Sequence, residues 1–306
     1  MNELLITRST DRGGVFTRED ALACGYTDAG LRVLVRTGAC RRLARGVYGL
    51  AGSTAPVSRE DRHRQLTRGL LLRFAGRAVA SHHSALLLHA LPAHAVDLAR
   101  AHLTTLTRSH GRVGPEFAVH RRLDGVEPTL VGDWPTVPIA IAVIQTAAHA
   151  GSTAGIVAAD AALHRQQVTA EDLELAARQA AGWPGGREAQ LTAQLADQRS
   201  ESVGESRLRL VFHALRIPVT PQFSVEDGDR VIARADFRVR GTRLLVEFDG
   251  LLKYRGEGGA EAVAREKQRE DRVRRQGWGF ERFTWDDLER PSLVAARVRE
   301  GCRRVA

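Results

Sequence analysis

Lysine is almost missing from this chain of 306 residues. Of its 45 basic residues only Lys253 and Lys267 are lysines, and the rest are arginines. Arginine replaces lysine readily on a solvated surface, but not where a compact or deprotonatable ammonium is needed. Both lysines fall within 20 residues of Glu247, which marks that region as a place to look for chemistry. Cysteine is scarce too. Cys24, Cys40 and Cys302 lack metal-ligand spacing and fit free thiols in a reducing cytoplasm better than disulfides. No run of 18 apolar residues is present, which excludes a transmembrane helix, and no signal-peptide pattern opens the chain. There is no Ser–His–Asp pattern, no phosphate-binding glycine loop and no zinc-ligand spacing. Acids are outnumbered, leaving a net charge of +9. That balance favours a polyanionic partner, with nucleic acid ahead of an anionic membrane.

What is present concentrates in residues 235–250, ADFRVRGTRLLVEFDG. Two runs alternate polar and apolar, around Asp236 and around Glu247, and the spacing predicts a β-hairpin. Gly241-Thr242 suits the two-residue loop of a type II′ turn. Arg240 then faces Arg243, and counting outward Asp236 faces Glu247. Asp249 shares the face of Glu247. Opposed like charges destabilise a strand pair, and a divalent cation would reverse that sign. The alternative is a solvent-facing strand with scattered acids. Leu244, Leu245, Val246 and Phe248 argue against it, because they read as a mostly buried strand whose acids need a partner.

An Asp opening one strand and an acid pair on the next resembles the PD-(D/E)XK restriction-endonuclease-like superfamily. The longer string DF, VEFDG, LLKY, EKQRED, an arginine run, Gly277 and FERFTWDDL resembles the nuclease-like family related to very-short-patch repair endonucleases. It covers residues 205–298, about a third of the chain. The resemblance implies Mg²⁺, or Mn²⁺ in its place, held by Asp236 and Glu247 for hydrolysis of DNA phosphodiesters. The lysine usual two residues after the Glu is Asp249 here. Asp249 is therefore expected as a further ligand or water-orienting base. Lys253, just past the strand, is expected to face the phosphorane, with Lys267 behind it as a DNA contact. Glu205 has two readings: the acid that related nucleases bring from a first helix, or the capping partner of Ser202.

Near the N-terminus Thr17 and Asp20 have capping-box spacing, and that helix ends near Gly25. A second helix starts at Thr27 or Asp28, stops before Gly38, and is expected to bury Leu31, Leu34 and Val35. Arg32 and Arg36 sit four apart on its other face. A basic turn and strand follow with Arg41, Arg42 and Arg45. This is the order of a winged helix-turn-helix. GVFTREDALACGYTDAGLRVLVRTGACRRLARGVYGL resembles the N-terminal domain of AbiEi-type antitoxins of type IV toxin–antitoxin systems. The resemblance implies autoregulatory DNA binding, with helix 28–37 in a major groove and Arg41, Arg42 and Arg45 on phosphates. The alternative is a helical dimerisation or docking module with a solvated basic face.

Between these ends, helices are expected at 58–74, 81–91, 139–149, 153–165, 169–179 and 187–198, and strands at 102–108 and 116–122. SHHSALLLHAL and AADAAL are similar to the middle region of AbiEi-type proteins. His82 and His83 are adjacent and point to different faces of a helix, so with His89 they read as packing and capping residues rather than metal ligands. The expected fold is a multidomain α+β and α/β chain. It comprises a winged helix-turn-helix at 1–52, a mostly helical middle domain with a few strands at 53–190, and a restriction-endonuclease-like mixed sheet flanked by helices at 191–306. The expected function is a metal-dependent DNA endonuclease in the cytoplasm, targeted by its N-terminal domain. The alternatives are a DNA-binding regulator or antitoxin with an inactive nuclease fold, and a protein-interaction module. DNA is the expected partner, with a second copy or a cognate toxin as further candidates and no membrane.

Overall fold

The computed structural model describes residues 1–51, 58–107, 110–250 and 259–306, with backbone alone for 259–266. The chain divides into two units. One is Met1–Ala159 with Gln167–Leu195, the other Asp160–Gln166 with Ala196–Ala306.

The first unit opens with α1 (Glu3–Asp11), β1 (Val15–Thr17), α2 (Arg18–Ala23), α3 (Asp28–Arg36), β2 (Cys40–Ala44) and β3 (Val47–Leu50). β3 lies between β1 and β2, antiparallel to both. Thr17 and Asp20 form the expected capping box at α2. Thr27 caps α3 by accepting the Gly30 N–H at 3.1 Å. Helix α1 escapes a periodicity reading because only Leu5 and Ser9 of its nine residues are buried. Asn2 caps it, and the Asn2 side-chain amide donates to the Cys24 carbonyl at 2.8 Å, tying α1 to the end of α2. Leu5, Phe16, Ala21, Leu31 and Leu34 make the core. Val35, expected inside, is 37 % exposed, because α3 buries a single row of side chains.

Helix α4 (Arg59–Arg73) packs on β1 and β3. Gly69 makes that approach feasible: a Cβ there would lie 2.2 Å from Val47 Cγ1. Next come β4 (Ala78–Ala80), α5 (His82–Leu88), β5 (Ala101–Thr105), β6 (Arg112–Val113), β7 (Phe117–His120), β8 (Thr129–Val131) and β9 (Trp134–Thr136). They build a six-stranded sheet in the order β6-β7-β5-β4-β9-β8. The middle region is therefore more sheet-like than its sequence indicates. β4, β8 and β9 have three residues each, too few for an alternating pattern to register. Helices α6 (Ile139–Ala150), α7 (Ser152–His164), α8 (Ala170–Gln179) and α9 (Gly186–Leu195) follow, and Thr169 with Asp172 forms a capping box at α8. The division between units cuts α7 after Ala159.

The second unit holds α10 (Val203–Ala214), β10 (Val219–Asp227), β11 (Arg230–Val239), β12 (Leu244–Phe248), α11 (Gly259–Arg275), β13 (Gly279–Phe283), α12 (Trp285–Leu288) and α13 (Pro291–Arg304). The sheet order is β10-β11-β12-β13. The first three strands are antiparallel, whereas β12 and β13 run parallel and are joined through α11, as a parallel pair requires. The chain ends in two helices rather than one. Pro291 pushes Arg290 out of helical geometry, to φ −129° and ψ 68°.

Each face of this sheet has its own core. Leu208, Phe212, Phe237, Val239, Leu244 and Val246 share one, and Val225, Ala233, Ala235, Leu245 and Val273 share the other. Strict alternation along β11 would put Ala233, Ala235, Phe237 and Val239 on one face. They divide instead, so the strand changes phase at Asp236. Gln222, opposite this break on β10, has a left-handed φ of 49°, and Val219 and Phe223 to either side of it likewise pack with opposite cores.

Candidate functional site

Within the first unit, Arg18 bridges the starts of α2 and α3. Its Nε and Nη2 reach the two Asp28 carboxylate oxygens, each at 2.6 Å. The pair is exposed, so it orients more than it stabilises. Arg32 and Arg36 lie exposed on α3, away from the buried Leu31 and Leu34. Arg42 and Arg45 are exposed on the β2–β3 ribbon, Arg45 at its tip. Arg41 is different. It is half-buried and donates through Nη2 to Gln65 on α4, and its Nε is buried without a hydrogen-bond partner. Burial, with Arg62 nearby, lowers its pKa. The ribbon alternates faces, so of the three arginines expected on phosphates Arg41 turns inward and Arg42 and Arg45 stay in solvent.

In the second unit Phe237 pairs with Val246 and Arg238 with Leu245. That register sets Asp236 across from Glu247, as counted from the sequence. The turn differs from expectation. Gly241 has φ 75° and is third, not second, in a turn closed by Thr242 N–H on the Val239 carbonyl at 3.2 Å. This is the position where a type II turn needs a positive φ. Asp236 Oδ2 accepts the Phe248 backbone N–H at 2.7 Å. Glu247 accepts from Arg269 Nη2 on α11 at 2.6 Å and from Arg282 Nε on β13 at 3.2 Å. Arg282 also reaches Glu270 at 3.0 Å, which holds Arg274 in turn.

Glu205 makes contacts of the kind its capping reading calls for. Its Oε1 accepts the Ser202 hydroxyl at 2.8 Å, and its Oε2 accepts the Glu201 N–H at 3.0 Å and the Gln222 side-chain amide at 2.8 Å. It is buried at the start of α10, where Gly204 lets the helix close on Phe248: a Cβ there would lie 1.9 Å from that ring. Asp249 lies past the end of β12, with its N–H on the Phe283 carbonyl at 2.8 Å. Lys267 is exposed on α11, and Lys253 lies outside the described residues. Among the described residues, the cations that meet Glu247 are arginines. Arg282 had a signal in principle, since parallel pairing of β12 with β13 sets it directly beside Glu247.

Asp236 and Glu247 are hard oxygen donors of the kind Mg²⁺ takes. Two guanidinium groups already sit on Glu247, so a cation there would compete with their charge. Among the described residues, the three side chains whose ligand atoms all lie within 4.8 Å of one another are histidines rather than these acids. No described helix is long and apolar enough to cross a membrane.

Two proteins from different strains of Mycobacterium tuberculosis, both named as uncharacterized, are 27% identical to this chain over 183 residues. The match takes in 59% of this chain and 66% of theirs, so the chain spans just under two thirds of the length of these relatives. Residues 3–51, which run from α1 through β3, match the family described as "Transcriptional regulator, AbiEi antitoxin". That match ends before the second unit and lends nothing to the expectation of a nuclease. With its helix-turn-helix order and ribbon, the N-terminal segment is similar to AbiEi antitoxin-type transcriptional-regulator domains.

Proposed function

We propose that this chain is a DNA-binding regulator of the antitoxin type, which sets α3 in a major groove and the β2–β3 ribbon against the flanking phosphates. The observation that carries this reading is the exposure of Arg32 and Arg36 one turn apart on α3, a helix capped by Thr27 and buried through Leu31 and Leu34. Arginine on a recognition helix reads base edges or holds phosphates, and Arg42 and Arg45 add sequence-independent attraction. The net charge of +9 supports the same partner. The antitoxin character of the domain supports a cognate toxin as a second partner. The test is a gel shift of the full chain on DNA upstream of its own reading frame, in EDTA, beside Arg32→Ala and Arg36→Ala variants.

A second reading, phosphodiester hydrolysis in the second unit, is favoured by one observation: Asp236 and Glu247 stand across from each other where β11 changes phase. Asp236 and Glu247 would hold Mg²⁺ or Mn²⁺, and a bound ion supplies a water of lowered pKa and charge neutralisation at the departing oxygen. Asp236 would orient its ligand oxygen from the backbone bond to Phe248. Arg269 and Arg282 would bring positive charge beside the phosphate oxygens. Nicking of supercoiled plasmid with Mg²⁺ or Mn²⁺, absent in Glu247→Ala, would support this reading; intact plasmid under every metal would remove it.

A further inference from the structure

The first unit contains a group of imidazoles that DNA binding does not use. His82 begins α5, His102 is on β5, His120 ends β7 and His149 is in the last turn of α6. These four separate elements bring their rings together. His82 stacks on His120 with centroids 4.0 Å apart, His102 meets His149 at 4.6 Å, and His102 Nδ1 lies 2.9 Å from His120 Nε2. His82, His102 and His120 each offer a ring nitrogen within 4.8 Å of the others.

The His82 backbone is held in a left-handed conformation, φ 52°, that is uncommon for a residue other than glycine. Its N–H donates to Gln145 Oε1 at 3.1 Å and its Nδ1 bonds the Ser81 hydroxyl at 3.0 Å, which leaves Nε2 as the ring nitrogen available to a metal. A neighbour bonded to one ring nitrogen while the other points at a shared centre is the usual support for a ligating histidine. The group opens into a cavity of about 580 Å³ lined by His82, His120, His149, Arg121 and Gln145.

We propose that His82, His102 and His120 form a binding site for one divalent transition-metal ion of the zinc class, with a fourth position open to the cavity beside Arg121 for water or a small anion. Three imidazoles and one exchangeable position are a recurrent zinc arrangement. Two ligands on tetrahedral zinc lie about 3.3 Å apart, so the His102–His120 bond opens by a few tenths of an ångström on loading. None of the residues lining the cavity is a carboxylate, so the ion's charge calls for an anionic fourth ligand, and Arg121 favours one.

The inference stands apart from the DNA-binding reading. Tag-free full-length chain, stripped with chelator and dialysed, is titrated with Co²⁺ by visible absorption and with Zn²⁺ by calorimetry. Expected is one Co²⁺ per chain with the intense d–d absorption of tetrahedral coordination, displaced by one equivalent of Zn²⁺ and not by excess Mg²⁺. His102→Gln and His120→Gln lower the Zn²⁺ affinity at least ~10-fold, while His213→Gln, at an exposed position, leaves it unchanged. The wild-type spectrum decides the matter even if a variant fails to fold. Absence of the tetrahedral Co²⁺ band, or affinity retained in folded His102→Gln and His120→Gln, overturns the proposal.

Discussion

Phe248 on β12 donates its backbone N–H to Asp236 on β11 at 2.7 Å, across twelve residues of chain. The acid therefore has a structural duty beside any chemical one: it holds the two strands together where β11 changes phase. The two duties separate by substitution. Asp236→Asn keeps an acceptor, and its stability in urea is expected within about 0.5 kcal/mol of wild type. Asp236→Ala leaves a half-buried N–H unpaired and is expected to cost about 1–2 kcal/mol. If the second unit cuts DNA, both lose cleavage alike. Equal stability of the two variants would show that the bond does not matter.

Glu247 is expected to behave as the centre of a charge cluster. Glu247→Ala leaves Arg269 and Arg282 without their shared carboxylate. Removing one partner of a buried ion pair costs about 3–5 kcal/mol, and partial exposure here reduces that to about 1–3 kcal/mol. Arg269→Ala should cost less, because Arg282 still neutralises Glu247. Urea denaturation followed by far-UV circular dichroism checks the order, and it would be wrong if Arg269→Ala were the more damaging change.

Asp20 gives the regulator domain a pH dependence. Burial tends to raise its pKa, but the Thr17 N–H and hydroxyl and the Arg12 guanidinium outweigh this and hold it below its ordinary 3.8. A carboxylate lowered on folding contributes stability that is present above the unfolded pKa and is lost as pH falls through the folded one. Asp20→Asn is therefore expected to cost about 1 kcal/mol at neutral pH and little once the folded carboxyl is protonated. Hydrogen exchange of peptides from residues 1–51, at neutral pH and below about pH 3, reads this in the full chain. A cost that persists unchanged in acid would contradict it.

The register that carries Asp236 opposite Glu247 was legible by counting from Gly241, although the turn itself is closed one residue earlier than counted, by Val239 and Thr242. The capping residues Thr17, Thr27, Thr169 and Ser202 were legible for a local reason: their partners lie three residues on. What escaped depends on distant pairing. Nothing near Gln222 in sequence announces a left-handed φ at a non-glycine residue. Arg269 and Arg282 reach Glu247 only once α11 carries the chain over to a parallel strand. The clustering of the histidines was not legible, because the adjacency of His82 and His83 says nothing of the rings on β5 and β7 that His82 meets. All seven residues of α5 are buried, so His82 meets His120 on one side while His83 meets His63 on the other.

The central claim, DNA binding through α3, is tested most directly by fluorescence anisotropy of the full chain in EDTA. The probes are a duplex from upstream of its own reading frame and a scrambled duplex, each over a range of salt. Expected is a preference for the upstream duplex that Arg32→Ala and Arg36→Ala each weaken about 10-fold or more. Arg45→Ala should weaken both duplexes alike and lower the salt slope by about 1. Arg41→Ala, at a position turned toward Gln65, should leave that slope unchanged. Equal affinity for the two duplexes, or Arg32→Ala and Arg36→Ala variants that bind like wild type, would contradict the reading of α3 as the element that recognises DNA.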